Sequence, residues 1–107
     1  MSEPRLKSEF RVAAQLRRAH AAGAFAVVAR RGDPDAGSIA VKVYLGRRLA
    51  RLYVQARDHD GNPIWREPFE GAADEDKIDA YLDKERRFDS DLWIIEIEDR
   101  NGDGFLD

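Results

Sequence analysis

The chain has 107 residues, of which 43% are hydrophobic and 36% are charged. This size and composition fit one well-solvated globular domain rather than a disordered or multidomain protein. The absence of cysteine excludes disulfides, thiolate catalysis and cysteine-based zinc or iron–sulfur sites. No apolar run approaches the roughly 18 residues of a membrane helix, and the first ten residues contain no apolar signal-peptide core. We therefore expect a cytoplasmic protein that does not enter a membrane.

The formal net charge of −3 conceals a strong difference between the two halves of the chain. Residues 1–51 contain 11 Lys and Arg against 4 Asp and Glu, a net charge of +7. Residues 52–107 contain 7 Lys and Arg against 17 Asp and Glu, a net charge of −10. The opposite charges can neutralise each other within one fold or across a homodimer. Alternatively, a basic face can bind nucleic acid or an acidic partner.

The first half of the sequence predicts a helix followed by three strands. Residues 6–22 carry apolar side chains at helical spacing, and Gly23 is suited to end that helix. Residues 24–30 form a short apolar run that predicts a strand, and the Gly, Pro and Asp residues that follow predict a loop. Apolar and polar side chains then alternate, as in half-buried strands, over residues 38–45 and 49–57.

The second half predicts a turn, an edge strand, a helix and a last strand. Residues 58–63 have the composition of a turn, and residues 64–69 fit a short edge strand because prolines bracket them. Asp74 is suited to cap a second helix that runs to about Phe88. Residues 92–98 are the most strand-like segment of the chain.

These elements predict a single domain of the α+β class, with two helices and an antiparallel-dominated sheet of four or five strands, in the order α-β-β-β-(β)-α-β. Short turns between consecutive strands imply antiparallel pairing. The last strand returns after a helix and can join the sheet parallel to a neighbour. We expect residues 1–5 and 103–107 to fray.

Two stretches together resemble a known family. The first is residues 5–43, whose distinctive part is an RRGD-x-x-AG loop followed by a VKV strand. The second is residues 87–102, with the pattern FD-x-DLW-x-x-E-x-ED. Both resemble a family of small alphaproteobacterial proteins known as domain-of-unknown-function family 1491. The resemblance implies a small single-domain bacterial protein, and it implies no activity.

The acidic tail is similar to most of an EF-hand calcium loop. Asp99, Asn101, Asp103 and Asp107 would fill ligand positions 1, 3, 5 and 9, and Gly104 would fill the glycine position 6. The chain ends before the bidentate glutamate of position 12, and a strand rather than a helix precedes the loop. A solvated turn is the alternative interpretation.

A basic surface is the second candidate site, because a phosphate backbone or another anion binds clustered cations. No aromatic interleaving or nucleic-acid motif accompanies these cations, and ordinary solvated or internally paired side chains are the alternative. The candidate residues are Lys7, Arg11, Arg18, Arg30, Arg31, Arg47 and Arg48.

The sequence offers little for catalysis. Histidine occurs only at positions 20 and 59, and neither has an established catalytic or metal spacing. Glu96 and Glu98 share a strand face and could hold a hard metal ion. We predict no catalytic residue and no cofactor. The leading hypothesis is a non-enzymatic domain that binds a protein partner or a second copy of itself. The alternatives are nucleic-acid binding through the basic first helix, and calcium binding or a metal-dependent enzyme at the acidic C-terminal region.

Overall fold

The architecture is a mixed sheet with one helix on each face, seen in a computed structural model that describes residues 6–107. The expected fraying of residues 1–5 lies outside the described residues. The elements in chain order are α1 (Ser8–Ala21), β1 (Phe25–Arg30), β2 (Ile39–Gly46), β3 (Leu49–Arg57), β4 (Pro63–Arg66), β5 (Ala73–Asp74), α2 (Glu75–Phe88) and β6 (Trp93–Glu98).

The strands lie in the order β1-β6-β2-β3-β4, and the two-residue β5 pairs with β3 beside β4. β6 is inserted between β1 and β2, antiparallel to β1 and parallel to β2. The other neighbouring strands are antiparallel. The predicted α+β class is therefore confirmed, and the sheet is mixed because the last strand joins it after a helical crossover.

The sheet is buried on both faces. On one face, Val12 and Ala19 of α1 belong to a core with Val41, Val43 and Ile95. On the other face, the core consists of Ala40, Ala50, Leu52, Ile78, Leu82, Leu92 and Ile94, with Ile78 and Leu82 supplied by α2. Each fully buried aliphatic side chain contributes about 1.5–3 kcal/mol relative to an exposed one. This two-sided burial explains why the first five residues of β2 are all buried although their side chains alternate between the faces.

The N-terminal ends of the two helices are capped in different ways. Asp74 caps α2 as predicted, because its carboxylate accepts a hydrogen bond of 2.8 Å from the backbone N–H of Asp76. No side chain caps α1. Its first free N–H groups instead donate to the carbonyl oxygens of Pro34 and Asp35, at 2.9 and 3.2 Å. The predicted loop after β1 therefore also serves as the cap of α1.

The predicted strand at residues 64–69 is shorter than expected and covers Pro63–Arg66. Glu67 leaves the strand and forms an ion pair of 2.8 Å with Arg51. Between residues 6 and 107, neither helix has the length and apolar composition needed to cross a membrane.

Candidate functional site

The two stretches that carry the family resemblance lie against each other. A Cβ atom added to Gly32 or Gly37 would overlap the carbonyl oxygen of Asp91. The indole N–H of Trp93 donates to the carbonyl oxygen of Asp33 at 2.7 Å. The RRGD-x-x-AG loop is thus a close-packed support for the start of β6. This contact gives the Arg-Gly-Asp tripeptide a structural role.

Both arginines of this loop contact the protein, although the Arg31 side chain is 68% exposed. The Arg30 guanidinium donates to the backbone carbonyls of Leu92 and Ser90. Arg31 lies over the Trp93 ring, 5.2 Å from its centroid, and 3.6 Å from the Glu9 carboxylate. These contacts position the two cations against the protein rather than together in a concavity for an anion.

The predicted cations of α1 contact two other segments. Lys7 pairs with Asp35 at 3.5 Å, and both side chains are more than half exposed. The Arg11 guanidinium forms a bidentate salt bridge with the Asp107 carboxylate, at 2.8 and 3.0 Å. Arg18 donates twice to the carbonyl oxygen of Phe105, at 2.7 and 3.0 Å. The last two of these cations therefore hold the C-terminal tail against the helix.

Arg47 and Arg48 form the two-residue turn between β2 and β3. Both have positive φ angles, 55° and 64°, the left-handed conformation that a tight hairpin of this type requires. Arg48 pairs with Asp76 at 2.6 Å, with both side chains largely exposed. Arg47 makes no ion pair within residues 6–107. Arg47 and Arg48 thus lie on the β2–β3 turn, whereas the other five cations belong to α1 and to the end of β1 and its following loop, and nucleic-acid binding by them stays a prediction.

The tail after β6 is folded by its own carboxylates. Asp99 accepts from the backbone N–H of Asp103, and Asp103 accepts from that of Phe105, both at 2.8 Å. Asn101 is exposed. Asp107 lies on Arg11, away from this turn. In the described part of the chain, no three His, Cys, Asp or Glu side chains are arranged to hold a metal ion.

Residues 103–107, for which the sequence predicts fraying, make specific contacts. Tyr53 donates its phenolic O–H to the carbonyl oxygen of Gly102 at 2.8 Å. The buried side-chain amide of Gln15 donates to the carbonyl oxygen of Gly104 at 2.6 Å. Phe105 and Leu106 pack against the α1 side of the core. The tail therefore covers part of the sheet beside α1.

Acidification is expected to loosen the end of this tail. Hydrogen bonding from Arg11 holds the pKa of the Asp107 carboxyl below its ordinary value of 3.8, against the opposing effect of partial burial. Since the folded-state pKa is depressed, the pairing stabilises the fold above pH 3.8 and is lost as the pH falls through the lower value. A pH titration of the Leu106 and Asp107 amides by NMR should show a midpoint below 3.8. Arg11→Gln should move that midpoint upward, whereas Arg17→Gln, on the exposed side of α1, should not.

A cleft of about 760 Å³ lies between the start of α1, the loop before β2 and the β3–β4 hairpin. Most polar side chains on its walls are already bonded within the protein. Ser8 donates to Gly37, Gln55 accepts from the backbone N–H of Ile39, and Arg11 binds Asp107. The cleft therefore presents few converging free polar groups for a small ligand.

The edge of the sheet formed by β1 is the least covered apolar surface in the sheet. β1 pairs only with β6, so one side of its backbone has no strand neighbour. Phe25 is 60% exposed, and Val27 and Val28 are each 38% exposed. A bulge between Val28 and Arg30 ends the regular pairing. Residues 25–28, which we call the β1 edge, therefore combine exposed apolar side chains with a backbone side that no strand pairs, although the Ala26 carbonyl oxygen is already bonded to the His20 ring at 3.0 Å.

An acidic groove of about 170 Å³ adjoins the β1 edge. Glu96 and Glu98 of β6 lie opposite Val27 and Phe25, so their side chains share one face of the sheet with these apolar residues. Both glutamates are exposed and form no ion pair within residues 6–107. The sequence correctly placed them on one face, and metal binding by them stays a prediction.

Lys42 lies at the inner end of the acidic groove, and the sequence analysis missed its role. Its ammonium group is buried and binds Glu75 at 2.8 Å and Asp79 at 2.7 Å. Burial alone would lower its pKa, but the hydrogen bonds and charges of Asp79 and Glu75 outweigh burial and raise the pKa. A lone lysine in the middle of a buried strand was the available signal, because such a charge requires partners.

Comparisons with known proteins place the chain in a family. The family model described as "Protein of unknown function (DUF1491)" matches residues 6–107. A crystal structure of a DUF1491 family protein from Caulobacter crescentus CB15 is 44% identical, with a TM-score of 0.87 and coverage of 95% of each chain. An NMR structure of a family protein from the same organism is 43% identical, with a TM-score of 0.84, covering 97% of this chain and 94% of that one.

A solution structure of a protein from A. tumefaciens is 38% identical, with a TM-score of 0.76, covering 90% of this chain and 87% of that chain. No functionally curated protein matches the sequence. The resemblance noted in the two stretches is confirmed, since the match extends over residues 6–107 at this level of identity. The chain belongs to the DUF1491 family of proteins of unknown function.

Proposed function

We propose that the protein is a non-enzymatic interaction domain that binds an extended segment of another polypeptide along the β1 edge. The observation that carries this proposal is the exposure of Phe25, Val27 and Val28 on a strand with one unpaired side. An incoming strand gains main-chain hydrogen bonds from the edge and buries these apolar side chains. The absence of cysteine and of membrane-spanning helices in residues 6–107 is compatible with a cytoplasmic site of action, which we also propose.

The other edge of the sheet is less suited to this role. β4 has only four residues and begins with Pro63, which has no backbone N–H to donate to a neighbouring strand. Within the β1 edge, by contrast, every residue has a backbone N–H, and no charged side chain interrupts the apolar sequence from Phe25 to Val28. Proteins commonly protect such edges with charges or proline, so an unprotected edge favours a partner.

Phe25→Asp is expected to abolish binding by the β1 edge while leaving the fold intact. The matched control is Phe88→Asp, because Phe88 is 81% exposed at the end of α2, away from the sheet edge. Peptides selected from a random displayed library with the wild-type protein should bind Phe25→Asp at least about tenfold more weakly. They should bind Phe88→Asp as they bind the wild type.

Two measurements complete this test. In ¹⁵N NMR, the selected peptides should shift the amides of residues 25–28 and those of the adjoining β6. Sedimentation of the wild type and of Phe25→Asp determines whether a second copy of the chain occupies the edge instead. Selected peptides that bind both variants equally, or that shift amides elsewhere, would show that the β1 edge is not the binding surface.

A further inference from the structure

The side chains beside the β1 edge specify the charge of its partner, provided that the edge is the binding surface proposed above. A strand added to β1 places alternate side chains on the same two faces as those of β1. On one face these side chains meet Phe25 and Val27, with the carboxylates of Glu96 and Glu98 on the next strand. On the opposite face they meet Val28. The two faces therefore have different chemistry.

The carboxylates next to the edge are not neutralised by the protein itself. Lys42 is the cation that lines the acidic groove, and its ammonium group is already bonded to Glu75 and Asp79. With Glu96 and Glu98 included, one ammonium group faces four carboxylates, a local net charge of −3. Within residues 6–107, Glu96 and Glu98 are left without an ion-pair partner, so this part of the surface favours an incoming cation.

The geometry of a sheet allows a partner to reach these carboxylates. Neighbouring strands lie about 4.8 Å apart, so the partner strand would be about 10 Å from β6. A lysine or arginine can lay its aliphatic stem over an apolar residue and extend its charged group beyond it. Such a stem would cover Val27 or Phe25, and the charged group would reach Glu96 or Glu98.

A second copy of this chain fits the groove less well. In antiparallel pairing of two β1 strands, the copy offers the side chains of Phe25 to Ala29, none of which is charged. Arg30 follows them, but its guanidinium is held by the carbonyls of Leu92 and Ser90. Self-pairing through β1 would therefore leave the carboxylates of Glu96 and Glu98 without a cation.

We propose that the β1 edge accepts a basic, extended segment of another protein. In this segment, Lys or Arg at every second position covers Phe25 and Val27 and binds Glu96 and Glu98. The intervening apolar residues lie beside Val28. The partner class is thus a chain with alternating basic and apolar residues, and the binding mode is addition of a strand to the sheet.

Synthetic peptides of alternating composition test this inference with the full chain. Three labelled hexapeptides carry valine at alternate positions and lysine, serine or glutamate between, and binding is measured by fluorescence anisotropy at two salt concentrations. We expect the lysine peptide to bind at least about tenfold more tightly than the serine peptide, and more weakly at higher salt. The glutamate peptide should not bind.

Charge reversal should exchange this preference. The double variant Glu96→Lys/Glu98→Lys should bind the lysine peptide about tenfold or more weakly than the wild type does, and it should bind the glutamate peptide. The control Asp60→Lys/Glu85→Lys changes the net charge by the same amount at two exposed positions in a loop and in α2. This control variant should keep the wild-type preference for the lysine peptide. The reason is that we attribute the preference to Glu96 and Glu98, not to a general attraction between a cation and an acidic protein.

The possible failures separate the two proposals. If all three peptides bind equally and Phe25→Asp still abolishes binding, the edge is a docking site without charge selection, and the basic partner is wrong. If both charge-reversal variants lose the lysine peptide equally, the attraction is nonspecific, and the inference is also overturned. If no peptide shifts the amides of residues 25–28 at millimolar concentration, the proposed function itself fails. If these amides shift with the protein's own concentration instead, the occupant is a second copy.

Discussion

Gly32→Ala is expected to destabilise the fold by about 3 kcal/mol or more, the largest effect we predict for a single added methyl group. A Cβ atom at this position would overlap the carbonyl oxygen of Asp91 and lie 2.7 Å from both the Leu92 carbonyl carbon and Trp93 Cδ1. Two of these three atoms belong to the backbone of Asp91 and Leu92, just before β6, so no side-chain rotation relieves the contact. Urea unfolding monitored by circular dichroism measures the loss.

The control for Gly32→Ala is Gly23→Ala, which separates crowding from backbone strain. Gly23 has a φ of 84°, and a Cβ atom there would meet no atom within 4 Å. Alanine at this position therefore adds only the cost of a left-handed conformation, about 1 kcal/mol. Equal losses in the two variants would show that the loop moves away from β6 easily, and the close packing would then have little energetic weight.

This contact explains why the two family-like stretches occur together in one chain. The loop holds the first free N–H groups of α1 through Pro34 and Asp35, and it contacts Trp93 through Asp33. The loop therefore connects α1 to β6, the last strand in the chain. The glycines of the loop are required by this close approach.

Periodicity was sufficient to predict most elements from the sequence. The alternation in β2 and β3 depends only on the local sequence, and so does the helix cap at Asp74. Neither depends on where the segment lies in the fold. The strand order is different, because it depends on contacts between distant residues. The sequence allowed parallel pairing of β6, but nothing in residues 92–98 specified insertion between β1 and β2.

The same limit applies to the candidate site. The apolar run of residues 24–30 predicts a strand but not its exposure, and only Ala26 within β1 is buried. Its exposure follows from its place at the edge of the sheet, which a local pattern does not contain. For the basic residues the difference has the opposite direction: the sequence predicted a surface for binding an anion, and the structure shows hydrogen bonds within the protein. Arg18 and Arg30 bind backbone carbonyl oxygens, and any residue type can supply such an acceptor.

Lys42→Ala is expected to cost about 2–3 kcal/mol, the second-largest effect on stability. The substitution removes two charge-assisted hydrogen bonds and leaves Glu75 and Asp79 close together without a cation. Lys42→Met is the informative control because it keeps the volume of the side chain in the buried strand. Lys42→Met also leaves Glu75 and Asp79 without a cation, so we expect it to be destabilised too, but by less than Lys42→Ala because no cavity is formed.

The pH dependence of stability distinguishes charge from packing at this position. The pKa of Lys42 is raised in the folded state, so its contribution is complete below the ordinary value of 10.5 and is lost as the pH rises through the higher folded value. Burial also raises the pKa of Tyr53, which weakens the fold at alkaline pH in wild type and variant alike. The difference in unfolding free energy between wild type and Lys42→Met therefore isolates the lysine. It should be constant from pH 7 to 10 and decrease above pH 10.5, and a difference that does not change with pH would assign the effect of Lys42 to packing alone.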